Sequence, residues 1–136
     1  MALLMTTIAT ARVHARETRY AQDIRAGNHA LVADEPEERG GTDVGAGPYE
    51  LLLAALGACT SITLRMYAEK KGWDVGPITV SLAFIKEGET DRIERTLGFG
   101  KPLSDEQRAR LSEIAGKTPV TKTILHGVSI RTTIEG

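Results

Sequence analysis

A single cysteine, Cys59, stands in 136 residues. One thiol excludes an intrachain disulfide framework and any zinc site built wholly from thiolates. Charge of one sign is missing as well. Seventeen Lys and Arg against 18 Asp and Glu leave a formal charge of −1, which removes the main driving force toward nucleic acid or an anionic membrane. The longest uncharged apolar run, Leu51 to Leu64, falls short of the ~20 residues that a membrane span requires. Met1-Ala2-Leu3-Leu4-Met5 is too short and too uncharged for a secretory signal. His14, His29 and His126 lack ligand spacing, so no metal is expected. There is no Gly-x-Ser-x-Gly, and Gly40-Gly41-Thr42-Asp43-Val44-Gly45 has neither the spacing nor the lysine of a phosphate loop. The expectation is one domain spanning residues 1–136, soluble and cytoplasmic, with no cofactor.

What is present reads as strands and helices in alternating blocks. Residues 6–14 interleave β-branched and polar types and predict a strand. Tyr20 to Ile24 and His29 to Ala33 predict two more, joined by Gly27-Asn28, a pair that tolerates positive φ. Asp34 to Gly47 is a long loop carrying Pro36 and four glycines, and a loop of this length in a small domain is more often functional than idle. Pro48 then suits a first helical position, Glu50 suits the helix dipole, and Gly72 suits the terminus. Leu51 to Met66 is apolar nearly all round, which predicts a core helix without a solvent face. About 24 residues make a helix roughly 36 Å long. That length in so short a chain suggests burial by a partner subunit.

In the second half, Val75 to Ile85 alternates and Ile93 to Phe99 reads as its hairpin partner. Ser104 with Gln107 forms a capping-box pattern for a helix to about Ala115, ended by Gly116. Thr118-Pro119-Val120 caps a short helix to about Leu125, and Val128 to Ile134 reads as a closing strand. The sum is an α+β domain with antiparallel sheets.

Cys59 lies about three turns into the central helix, with Leu52, Ala55, Leu56, Ile62, Thr63 and Met66 on its face. A thiol on an apolar helix face is commonly a small buried hydrophobe. A reactive one needs a cation or donor near the sulfur, because a thiol of pKa ~8.5 is only slightly ionised at neutral pH. Arg12, Arg16, Arg19 and Arg25 lie on or between the first strands, where a solvated edge is the default and an anion partner the alternative. Glu50, about two and a half turns before Cys59, satisfies the helix dipole or acts as a catalytic acid.

The stretch Asp34-Glu35-Pro36, Gly40-Gly41-Thr42-Asp43 and Gly47-Pro48-Tyr49-Glu50 through Gly57-Ala58-Cys59-Thr60 resembles the OsmC/Ohr family, the osmotically inducible and organic-hydroperoxide-resistance proteins. The tail Ile114 to Thr123 is similar to the family's second motif. The resemblance implies an OsmC-like intertwined homodimer whose sheets enclose the long helices. It implies a thiol peroxidase of oxidative-stress defence, in which Cys59 attacks a hydroperoxide and becomes a sulfenic acid. An arginine and a glutamate assist the thiolate in such proteins. The matching positions are Arg19, then Arg16, and Glu50, which stands one residue after the usual glutamate place at Tyr49. The second motif normally reads Cys-Pro-Val, but here it is Thr118-Pro119-Val120, so the resolving thiol would come from solution. Thr118 would at most donate a hydrogen bond to Cys59. The alternatives are a non-catalytic scaffold binding an apolar small ligand at the dimer interface, and a thioesterase-like hydrolase with Asp43 or Glu50 as base.

Overall fold

The computed structural model describes residues 5–136, which fall into two compact units that divide between Leu51 and Leu52. The first unit contains β1 (Ala11–Ala15), β2 (Gln22–Ala26) and β3 (His29–Ala33), an antiparallel meander in the order β1-β2-β3. Residues 6–10 are not strand, and β2 starts two residues later than its pattern suggests. The β2–β3 turn takes positive φ only at Gly27, at 58°. Among the described residues of this unit only Ala21, Ala33 and Asp34 are buried.

The long loop after β3 is organised by one carboxylate. Asp34 accepts from the amides of Glu35 (2.8 Å), Thr42 (3.1 Å) and Val44 (3.3 Å) and from the Thr42 hydroxyl (2.8 Å). A Cβ at Gly41 or Gly45 would collide with the carbonyl oxygens of Glu35 and Val32, so these glycines serve close packing of the loop. Burial pushes the Asp34 carboxyl up, but the Thr42 hydroxyl and the three amides outweigh it and hold it at about 2. Because that value lies below the ordinary 3.8, the carboxylate's contribution to stability is fully present above about pH 4 and is lost as pH falls toward 2. Amide exchange in residues 34–47 is expected to accelerate over this window. In Asp34→Asn the loop should exchange fast even at neutral pH, since an amide nitrogen would face N–H donors. Slow exchange in that variant would refute this role for the carboxylate.

The second unit holds most of α1 (Pro48–Lys71), whose first turn spans the boundary. The helix starts and stops where the sequence indicates. Gly47 N–H donates to Glu50 Oε1 at 2.8 Å. At the other end Gly72 N–H meets Glu69 O and Trp73 N–H meets Ala68 O, with Gly72 at φ 71°, which is a Schellman ending. The antiparallel hairpin of β4 (Ile78–Glu87) and β5 (Thr90–Phe99) follows. Its turn is only Gly88-Glu89, tighter than the seven-residue connection expected from the apolar pattern, because the backbone ladder continues through the polar pairs Lys86–Asp91 and Glu87–Thr90. Then come α2 (Asp105–Ala115) and α3 (Pro119–His126). Both reciprocal bonds of the Ser104–Gln107 capping box are formed, and the Thr118 side chain caps α3.

The core packs Leu64 and Ala68 of α1 with Val75, Leu111 and Ala115, flanked by Ile78, Leu97 and Phe99 of the hairpin. Three expectations need correction. Only one face of α1 is buried within this chain, through Leu56, Gly57, Thr60, Leu64 and Ala68, whereas Ala55, Ala58, Ile62 and Met66 are exposed. The helix also meets the length and composition of a membrane span, although its Leu64 and Ala68 belong to the protein core. Finally, residues 127–136 form no strand. Val128, Ile130 and Ile134 alternate as a strand would but are exposed, and a strand exists only where an edge is available to pair with it.

Candidate functional site

Alternation along β5 directs Ile93, Arg95, Leu97 and Phe99 to the half-buried face and leaves Glu94, Thr96 and Gly98 exposed. Arg95 is therefore a guanidinium in an apolar row. Its cross-strand partner is Leu82, and a Cβ at Gly57 would come within 2.8 Å of the Leu82 side chain. Glycine at 57 thus lets α1 approach the hairpin closely, bringing the helical segment around Cys59 over Arg95.

The guanidinium is held from three helices. Nη1 donates to Thr60 Oγ1 on α1 (2.9 Å) and Thr121 Oγ1 on α3 (3.0 Å), and Nη2 donates to the carbonyl of Ala115, the last residue of α2 (2.8 Å). Thr60 in turn donates to Leu56 O at 2.7 Å, so its hydroxyl is fully committed. These acceptors are all neutral, and among the described residues no carboxylate forms an ion pair with Arg95. Burial pushes the Arg95 guanidinium down from its ordinary value, and the negative charge of a Cys59 thiolate opposes that shift. An arginine remains protonated under these conditions. The half-buried Cys59 directly precedes Thr60, the residue on α1 to which this cation is bonded.

Beside Arg95 opens a groove of about 740 Å³, a size suited to a small organic molecule. Leu56, Phe84, Ile93, Ile124 and Leu125 give it apolar walls, and Arg92 and Asp91 stand at its polar side. Arg92 is engaged by Glu94 and Glu87, and Asp91 by Lys86, which leaves Arg95 as the groove's positive charge without a carboxylate. The arrangement sets a cation in the wall of an apolar groove and bonds it to Thr60, the residue that follows Cys59.

The other residues singled out in the sequence have the following places. Arg19 sits in the turn after β1 at φ 37°, its guanidinium 5.3 Å from the centre of the Tyr20 ring and against Gly40. Arg16 pairs with Asp23 at 2.8 Å. Glu50 is exposed and bonded to the Gly47 amide at the start of α1. Asp43 takes φ 55° within the Asp34 loop. Thr118 does not turn to the sulfur: its hydroxyl is buried and lies 2.7 Å from that of Thr121. Arg95 itself escaped the sequence reading. The signal that finds it is the period of two, which puts one charged residue among Ile93, Leu97 and Phe99.

A long apolar helix lying on an antiparallel hairpin in an α+β chain is the fold of OsmC-like proteins. A family model described as OsmC-like protein matches residues 40–133, and the chain belongs to that family. No curated protein matches it. Among solved structures it is similar to an OsmC-like protein from Mycoplasma pneumoniae, at 17% identity over 89% of each chain and a TM-score of 0.75. The OsmC organic hydroperoxide resistance protein of Legionella pneumophila shares 17% identity over 91% of each chain, with a TM-score of 0.62. OhrB of Bacillus subtilis, an organic hydroperoxide resistance protein, shares 20% identity over 86% of this chain and 90% of its own, with a TM-score of 0.59. At these identities the likeness is one of fold.

Proposed function

We propose that this protein is a thiol peroxidase that reduces organic hydroperoxides through Cys59, with a thiol from solution completing the cycle. The observation that carries the reading is Arg95, a guanidinium clamped by three neutral oxygens beside the only thiol, with no carboxylate to neutralise it. The organic-hydroperoxide-resistance neighbours in the fold comparison point the same way. In the reaction, the Cys59 thiolate attacks the terminal oxygen of ROOH and the O–O bond breaks. RO⁻ leaves and takes up a proton as ROH, and Cys59 becomes a sulfenic acid. With no second cysteine in the chain, an external thiol R′SH condenses with the sulfenic acid to give a mixed disulfide and water. A second R′SH then releases R′SSR′ and restores the thiol. A cytoplasmic location would supply such reduced thiols. The apolar groove would hold the organic part of the peroxide.

The working unit in this reading is a homodimer, which would cover the exposed stripe of α1 and the open faces of the β1–β3 sheet. Arg19 and Glu50 are proposed as auxiliary groups, from the same chain or from its partner.

The test is intact mass after brief treatment with cumene hydroperoxide in the presence of a sulfenic-acid trap. The wild type is expected to gain one trap adduct, and Cys59→Ser none. An unmodified wild type, under conditions that oxidise a free model thiol, would remove the peroxidase reading. The apolar groove would then favour the alternative, a scaffold binding an apolar small ligand.

A further inference from the structure

Position 118, where the family's second motif carries cysteine, is tied in this chain to the arginine and not to the sulfur. Proton counting fixes the direction of the hydrogen bonds. Arg95 can only donate, so Thr121 Oγ1 accepts from it at 3.0 Å. The single Thr121 hydroxyl proton goes to Ala115 O at 3.2 Å. The arrangement that satisfies every proton then has Thr118 donating to Thr121 across their 2.7 Å contact, while its oxygen accepts from the Thr121 amide at 3.3 Å. Ala115 O closes the circuit by accepting from both Thr121 and Arg95. Its carbonyl lies in the last turn of α2, where no intrahelical partner exists. Every hydroxyl proton in this buried cluster is thereby used, and none is left to donate to Cys59.

We propose that Thr121, oriented by Thr118, is a positioning residue that holds Arg95 toward the sulfur of Cys59. The inference rests on the role given to Arg95 under the proposed function, and it adds that α3 controls the thiol's electrostatic surroundings through two hydroxyls. Without the Thr121 hydroxyl, Nη1 keeps only the Thr60 bond, and the Thr118 hydroxyl loses its acceptor. The guanidinium then keeps two of its three anchors, Thr60 and Ala115, and is held less firmly at the wall of the groove it lines.

The experiment compares the rates at which iodoacetate and iodoacetamide alkylate Cys59 in the full-length protein. Both reagents consume the thiolate, so their ratio cancels its population and reports the positive charge met by an anionic reagent. Arg95→Met is expected to lower the iodoacetate-to-iodoacetamide ratio about 10-fold, the scale of one nearby unit charge in a partly buried site. Thr121→Val should lower it at least 3-fold, Thr121→Ser should restore it, and Thr121→Val should add nothing in the Arg95→Met background. If Thr121→Val does not fold, Thr118→Ala takes its place and should lower the ratio in the same direction. A ratio unchanged by the threonine variants but lowered by Arg95→Met overturns the positioning role and leaves the charge beside the thiol intact. A ratio unchanged by Arg95→Met refutes the charge argument itself.

Discussion

Replacing Arg95 by methionine is expected to slow the oxidation of Cys59 by an organic hydroperoxide by roughly 10- to 100-fold, the range in which a single preorganised charge or donor acts on a developing anion. Two charges need stabilisation along that reaction, the thiolate at the start and the departing alkoxide at the end. The guanidinium is bonded to Thr60, the residue after Cys59, in a setting partly shielded from water, where its field is stronger than at the surface. Its fixed geometry matters as well. With Nη1 and Nη2 already bonded to α1, α2 and α3, the cation need not reorganise when the thiolate reacts. Arg95→Lys is expected to recover part of the rate, because an ammonium supplies charge but cannot reach three acceptors with a planar fork. The rates are read by quenching with acid and weighing the oxidised and unoxidised protein. A methionine variant that reacts as fast as the wild type would show that the charge lies elsewhere. Arg19→Met, measured in parallel, then asks whether the arginine implied by family resemblance supplies it.

Arg95 also shows where reading the chain stops. The helix around Cys59 was legible from end to end because its signals are local: Pro48 at the start, Glu50 in the first turn and Gly72 at the end each act within a few residues. The capping box of Ser104 and Gln107 and the threonine cap at 118 are local in the same sense. The arginine's role depends on four separate elements meeting. Residue 95 must face inward, Gly57 must let the helix approach Leu82, and the ends of α2 and α3 must present Ala115 and Thr121. No window of sequence contains that encounter. The Asp34 loop illustrates the intermediate case. Its glycines mark an unusual backbone, but that they serve a carboxylate bonded to residues up to ten positions later emerges only from the folded chain. The tail is the opposite failure. Its alternation at Val128, Ile130 and Ile134 is a strand pattern, yet a pattern cannot supply the neighbouring edge.

That missing edge and the bare helix face lead to the remaining expectation: the wild type should sediment as the proposed dimer of twice 14.7 kDa, and Ile62→Glu combined with Met66→Glu should convert it into monomer or aggregate in sedimentation equilibrium, with loss of the cooperative thermal transition. Ile62 is 55% exposed and Met66 64%, one turn apart on α1, with Ala55 and Ala58 continuing the stripe toward its start. Burying one such large side chain is worth about 1.5–3 kcal/mol, and a two-fold interface counts each twice. The first unit strengthens the case, because among its described residues only Ala21, Ala33 and Asp34 are buried, too little core for a three-stranded sheet to stand unsupported. Glutamates on the helix stripe would bring like charges together across the two-fold axis and leave them desolvated, a cost that side-chain rotation cannot relieve in a helix held at both ends by Gly47 and Gly72. Ile62→Leu serves as the control that keeps apolar area and should remain dimeric. A wild-type chain that sediments as a monomer with a cooperative transition would show that its exposed apolar surface needs no partner, and the proposed contribution of Arg19 from a second copy would fall with it.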